Sequence, residues 1–154
     1  MGINIRAKGQ NGEREIATAL NGVIMLVLQQ QGFSEEAIQK ASDSVQRNQN
    51  QSAVGGNDLS NTFGLSIEIK RQEQLSINTW WKQCTQAAER NNEWPVLLYR
   101  QNHGKWQCVT YVRTVLEDKS PGVTVRATMD YDAFIYWFTA WVTDRIKKGY
   151  QVQL

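Results

Sequence analysis

A carboxylate at the head of an apolar helical stripe is the feature that most constrains this chain. From residue 11 to about residue 31 the apolar positions Ile16, Ala17, Leu20, Val23, Ile24 and Val27 recur at steps of three and four. That period predicts an α-helix with one buried face. Glu13 falls on the same stripe as Ile16, Ala17, Leu20, Ile24 and Val27, whereas Glu15 falls on the other side and reads as a solvated charge. A glutamate at a helix start favours the positive end of the helix dipole. One that points inward is out of place unless something in the interior uses it. Gly22 weakens the helix by up to about 1 kcal/mol relative to alanine, and Gly32 is a natural stop.

The remaining periodicities alternate between helix and strand. Residues 1–10 read as a polar, basic arm carrying Arg6 and Lys8. Ser34 is suited to cap a second helix, with Glu35 and Glu36 in its first turn, running to about Ser42. Residues 45–52 are rich in Gln and Asn and read as an edge strand or an extended loop. Residues 58–69 read as a hairpin: a short strand near Asp58 and Leu59, a turn at Ser60-Asn61, then a strand over 65–71. A helix follows over 78–89, with Asn78 as its cap. Strands are expected over 95–100 and 106–112, joined by a turn at Gln101-Asn102-His103-Gly104, and over 123–127. Asp130 is placed to cap a last helix over about 131–147. There Phe134, Ile135, Trp137, Phe138, Trp141 and Val142 cover too wide an arc for a surface helix. That helix lies deep against a sheet or forms part of a dimer interface. No repeat or linker divides the chain, so a single α/β domain over 1–154 is expected.

Composition removes several classes of function. The N-terminus lacks the apolar core of a signal peptide, and the apolar run at 23–28 is far too short to span a membrane. The two cysteines, Cys84 and Cys108, have no metal-ligand spacing, so reduced thiols and a cytoplasmic location are expected. His103 is the only histidine. Ser-His or Cys-His catalysis would rest on that one residue in a turn, which argues against it. A formal net charge of +2 does not mark a nucleic-acid binder, although a locally basic face suffices for one.

The segment Gly55-Gly56-Asn57-Asp58, followed by Glu68-Ile69-Lys70, carries the chemistry. Residues two apart on a strand share a face, so Glu68 and Lys70 project together and Ile69 turns away. With Asp58 on the adjoining strand, two carboxylates and one ammonium meet at one point. Carboxylate oxygens hold Mg²⁺, and a lysine beside them steadies or deprotonates a water. Taken alone, Glu68-x-Lys70 also fits a same-face salt bridge on an exposed strand.

Together, Lys8-Gly9-Gln10-Asn11-Gly12-Glu13-Arg14, Asp58 and Glu68-Ile69-Lys70 resemble the pattern of the archaeal-type Holliday junction resolvases of the PD-(D/E)XK nuclease superfamily. The similarity covers residues 6–112. It departs from the family where Asn57 replaces the usual proline, and the insertion between Glu13 and Asp58 is long. The chain is also similar to small nuclease-like proteins of bacteriophages, which implies a phage origin. The resemblance implies a restriction-endonuclease-like core, a central mixed sheet flanked by helices. It implies Mg²⁺ or Mn²⁺ on Asp58, Glu68 and the Ile69 carbonyl, with Glu13 completing the site through a water. Lys70 would activate the attacking water, and Gln83 (with Gln86 as the fallback) would position Lys70 or the phosphate. It also implies a homodimer that cuts branched DNA, four-way junctions first, with no membrane partner and no small-molecule cofactor.

Arg6, Lys8, Arg47, Ser52, Arg71 and Lys82 are the candidates for DNA phosphates, each of which also reads as an ordinary surface residue. Gly55-Gly56 would let backbone amides approach a phosphate or would simply make a turn. Adjacent on one helix, Trp80 and Trp81 are not both expected to face the core. Two other readings compete: a nuclease of the same fold acting on flaps or plain duplex, and a non-catalytic DNA-binding dimer with a degenerate site.

Overall fold

The architecture is that of a computed structural model, which describes residues 5–48, 57–118 and 122–149. In chain order the elements are α1 (Ile5–Gln30), α2 (Glu35–Ala41), β1 (Gln46–Arg47), β2 (Leu59–Ser60) and β3 (Leu65–Arg71). There follow α3 (Ile77–Asn91), β4 (Trp94–Arg100), β5 (Gln107–Arg113), β6 (Thr124–Asp130) and α4 (Tyr131–Lys147). The central sheet has the order β3-β4-β5-β6. β3 and β4 run parallel, joined through α3, and the other neighbours are antiparallel. This is the mixed sheet flanked by helices that the resemblance implies.

Strand alternation sorts the sheet into two faces. Ile67, Ile69, Val96, Leu98 and Cys108 pack with the stripes of α1 and α4, while Leu97, Tyr99 and Val109 pack with α3. On α4 the spacing of four residues puts Phe134, Phe138, Val142 and Ile146 inside the core. Trp137 and Trp141 lie partly buried against that core, so the chain itself covers most of the broad apolar arc. Asp130 caps α4 by accepting from Ala133 N–H, and Ser34 caps α2 by accepting from Ala37 N–H.

Several boundaries differ from the sequence expectation. The basic arm expected over 1–10 is helical from Ile5, so Arg6 and Lys8 ride on the first turns of α1. Gly12 allows this close seat: a Cβ there would meet the Trp106 ring at 3.2 Å and the Ile69 side chain at 3.7 Å. Asn78 lies inside the first turn of α3, with Ser76 at the cap position, and Asn78 accepts from Arg126 instead. Trp80 and Trp81 are both buried, at 5% and 9% exposure. They flank the line of contact: Trp80 packs near Tyr99 on one side, and Trp81 meets Tyr111 edge-on at 5.1 Å on the other.

Two long-range anchors shape the approach to β3. In the turn before it, Phe63 adopts a left-handed conformation (φ 59), a conformation unusual for a bulky residue. Its carbonyl accepts from Trp141 Nε1 at 2.9 Å. Asn21, buried in α1, accepts from Val45 N–H at 2.8 Å and donates to the Val45 carbonyl at 3.0 Å. The start of β1 is thereby tied to the helix. Asn21→Leu would leave two buried backbone groups without partners. It is expected to destabilise the protein by about 2–4 kcal/mol, measured as a lower urea midpoint with an unchanged slope.

Candidate active site

The site forms at the β3 edge of the sheet. Asp58, just before β2, is clamped there from two sides. Its N–H donates to the Ile67 carbonyl at 2.9 Å, and its Oδ2 accepts from Ile69 N–H at 2.6 Å. The N–H and C=O of one strand residue point the same way, so the Ile69 carbonyl is directed to this same edge beside Asp58. Glu68 and Lys70 project together from the opposite face of β3 to Ile69, and Glu68 Oε1 lies 3.6 Å from Lys70 Nζ. The same-face ion pair therefore exists, on a strand that leaves only 16% of the Glu68 side chain exposed.

Asn57, which stands where the resembling family has proline, is part of a hydrogen-bonded chain. It accepts from Asn48 Nδ2 at 3.2 Å and donates to Glu93 Oε1 at 3.1 Å. Side-chain bonds here hold the backbone ahead of Asp58, where a proline ring would hold it by restricting φ. Burial raises the Glu93 carboxyl above the ordinary range. The pairing of Asn57 with Glu93 has no local sequence signal, because 36 residues separate them.

Burial chiefly pushes the Asp58 carboxyl up to about 8, and the Glu68 charge adds to it. The Ile69 N–H opposes this, Glu13 reinforces it and Lys70 opposes it. Glu68 is raised by burial, opposed by the charge and hydrogen bond of Lys70 and reinforced by Glu13. Glu13 is buried, as its stripe predicts, and thus shares the field of the other two carboxylates. It does not close on the same point. Its Oε2 accepts from Arg47 Nε at 2.7 Å, and among the described residues no three acidic, Cys or His side chains are gathered tightly enough to hold a metal. Asp58 and Glu68 thus remain the candidate direct carboxylate ligands, and Glu13 is held on a counter-charge. That pair fits a divalent cation. Two partly desolvated acids, both raised by burial and one of them further by the other's charge, beside a backbone carbonyl at an open edge, are a hard-oxygen donor set that a dication would relieve.

A family model described as "Phage putative PDDEXK endonuclease" matches residues 4–148. The chain belongs to this family. It is a PD-(D/E)XK endonuclease, of a class that generally uses divalent metal ions. The match includes α4 and the C-terminal third as far as residue 148, where the motifs had offered no anchor. Among solved structures, the chain is similar to Hjc, a Holliday junction resolvase from the archaeal hyperthermophile Archaeoglobus fulgidus. Identity is 14%, with 84% of this chain and 96% of that chain covered and a TM-score of 0.40. No curated protein sequence matches the chain.

The remaining predicted residues are scattered over the endonuclease. Gln83 is exposed on the flank of α3 and Gln86 on its outer side. Neither is hydrogen-bonded to Lys70. The residue that α3 does present is Cys84, whose Sγ donates to the Ser66 carbonyl at 3.8 Å. Its thiol is raised well above the ordinary range, first by burial and then by Glu68. The signal for it was available, since Cys84 sits four residues after Trp80 and three after Trp81 on the apolar stripe. Among the expected DNA contacts, Arg47 is engaged by Glu13 and Lys8 pairs with Glu73 at 3.8 Å. Arg6 and Lys82 are exposed, and Lys82 lies on the outer face of α3. Ser52, Gly55 and Gly56 lie outside the described residues. Glu15 is exposed, as expected, and also accepts from Arg100 and from Trp106 Nε1 at 3.1 Å. Among the described residues no helix is long and apolar enough to cross a membrane.

Proposed function

We propose that this protein is a Mg²⁺- or Mn²⁺-dependent DNA endonuclease that cuts four-way junctions as a homodimer, in the cytoplasm of a phage host. The observation that carries the catalytic part is the double clamp of Asp58 onto β3, which fixes its carboxylate beside Glu68, Lys70 and the Ile69 carbonyl. The junction preference rests on the Lys8-Gly9-Gln10-Asn11-Gly12-Glu13-Arg14 segment and its resemblance to the resolvase pattern. Two-fold symmetry suits it, because a four-way junction is resolved by two symmetric cuts.

When bound by Asp58, Glu68 and the Ile69 carbonyl, the metal would polarise the scissile phosphate and lower the pKa of a water. Lys70 stands next to Glu68, where its ammonium orients the attacking water and offsets the charge that develops on the phosphorane. Glu68 in turn keeps Lys70 directed at the edge of β3. Glu13 adds negative potential at the site, and Arg47 holds it in place. Asn57 and Glu93 steady the segment that delivers Asp58. Cys84, buried with its Sγ on the Ser66 carbonyl, packs against β3 behind the site.

The test uses a four-way junction, a flap and a linear duplex, each with Mg²⁺ and with EDTA. Paired nicks in the junction, seen only with Mg²⁺, are expected, with flap and duplex largely intact. No cleavage of any substrate would defeat the nuclease reading. Equal cleavage of all three would leave a nuclease of this fold without junction preference, and tight binding without cleavage would favour a non-catalytic DNA-binding dimer.

A further inference from the structure

Past the C-terminal ends of β3 and β4, a cavity of about 460 Å³ opens between the start of α1 and the β4–β5 turn. Lys8, Asn11, Arg71, Arg100, Asn102 and His103 line it. Arg71 Nε and Arg100 Nε are buried there without an acceptor among the described residues. Leaving charged donors unpaired is costly, so an acceptor that enters this cavity gains more than one at an exposed lysine. Trp106 supports the second guanidinium, which lies 5.6 Å from its ring centre.

An anion already sits at the rim. The Glu73 carboxylate accepts from Asn102 N–H and lies 3.8 Å from Lys8 Nζ, while most of its side chain is exposed. On the other flank, Glu15 lies 3.4 Å from an Arg100 nitrogen. Lys8, Arg71 and Arg100 thus face two carboxylates, and the two arginine Nε groups remain unanswered among the described residues.

We propose that this cavity is a second phosphate site, which seats a non-scissile phosphodiester of the DNA strand being cut, and that Glu73 is the internal anion that this phosphate displaces. The proposal rests on the reading of the protein as a DNA endonuclease. Arg71 directly follows Lys70 and lies three residues from Glu68, roughly 10 Å along the strand. That separation places the cavity on a neighbouring phosphate of the strand and not on the one at Glu68. The side chain of Arg71 leaves the opposite face of β3 from Lys70. The cavity therefore holds the strand beside the cut rather than at it, and sets which phosphate arrives at Asp58.

The experiment measures DNA binding by fluorescence anisotropy in EDTA over a salt series, so no cleavage is needed. Arg71→Gln and Arg100→Gln are each expected to weaken binding about tenfold and to make the salt slope shallower by about one. Glu73→Gln, at the exposed rim, is expected to tighten binding several-fold. A neutral methylphosphonate walked along the strand should weaken wild-type binding at one non-scissile position, and at that position Arg71→Gln should lose nothing more. Wild-type affinity and slope in a folded Arg71→Gln variant would overturn the proposal, as would unchanged affinity in Glu73→Gln. Inorganic phosphate supplies the remaining arm. If it binds and its binding is lost in Arg71→Gln while DNA binding is kept, the cavity serves small anions and the DNA assignment falls. A protein that cuts no DNA but shows these binding changes loses the nuclease reading and keeps the pocket. One that cuts junctions with none of these changes keeps the former and loses the latter.

Discussion

Asp58→Asn is expected to raise the melting temperature of the metal-free protein at pH above about 8 and, in the same variant, to abolish Mg²⁺-dependent cleavage. The two effects have one cause. Burial and the neighbouring Glu68 hold the Asp58 carboxyl at about 8, against 3.8 for the free side chain. The folded chain therefore keeps this proton more tightly than the unfolded chain does. The associated stability is present at low pH and is lost as pH rises from about 4 to about 8. Above that, the metal-free fold carries a desolvated anion close to two others. Asparagine removes the charge and keeps an amide oxygen to accept from Ile69 N–H. The two pKa values bound the effect at roughly 5–6 kcal/mol. Relaxation around the charge leaves a gain of ~1–3 kcal/mol, equivalent to about 3–10 °C for a domain of this size. Calorimetry with EDTA and with Mn²⁺ checks it. Metal should stabilise the wild type and leave the variant almost unmoved, and below about pH 8 wild-type binding should release a proton. A variant that melts lower than the wild type at high pH without metal would contradict this electrostatic account.

Lys70→Met should lower the single-turnover cleavage rate by about 10³-fold while changing DNA affinity by less than about threefold. The lysine is one charge among many for binding, since backbone contacts share that load. At the reacting phosphate it has no substitute, because Arg47, the other cation near the carboxylates, is tied to Glu13 at 2.7 Å. Its loss also leaves Glu68 without the partner that opposes the upward push of burial. The pH profile of the residual activity should therefore move to higher pH. A loss confined to affinity, with the rate at saturating DNA unchanged, would make Lys70 a binding residue only.

The parts of the site that follow from a local period were readable in the sequence. Glu13 was placed inside by its position on the stripe of Ile16, Leu20 and Ile24, and it is buried. The spacing of Glu68 and Lys70 put them on one face of a strand, and they pair there. Asp130 and Ser34 announced the helix starts that they cap. What stayed hidden depends on partners distant in sequence. Arg47 looked free for DNA until the fold set it against Glu13, 34 residues away. Asn57 looked like a missing proline until Asn48 and Glu93 closed around it. Glu15 is exposed, as its side of the helix predicts, but its bonds to Trp106 and Arg100 were hidden because those residues lie about ninety positions on. The helix start was misjudged for a related reason. Gly9 and Gly12 argue against a helix locally, yet the contact with Trp106 and Ile69 favours a residue without a side chain at position 12. Trp80 and Trp81 both found cover because Tyr99 and Tyr111 rise from the sheet on either side of α3, a layout that no count along the helix reveals.

The central claim is that Asp58, Glu68 and the Ile69 carbonyl hold a divalent ion at the edge of β3. Anomalous diffraction from a crystal soaked in Mn²⁺ tests it most directly. The account predicts one strong peak within about 2.5 Å of an oxygen from each of these three groups, absent from a crystal of the Asp58→Asn variant. A peak held by other residues, or no peak at this edge at Mn²⁺ concentrations that support cleavage, would contradict it.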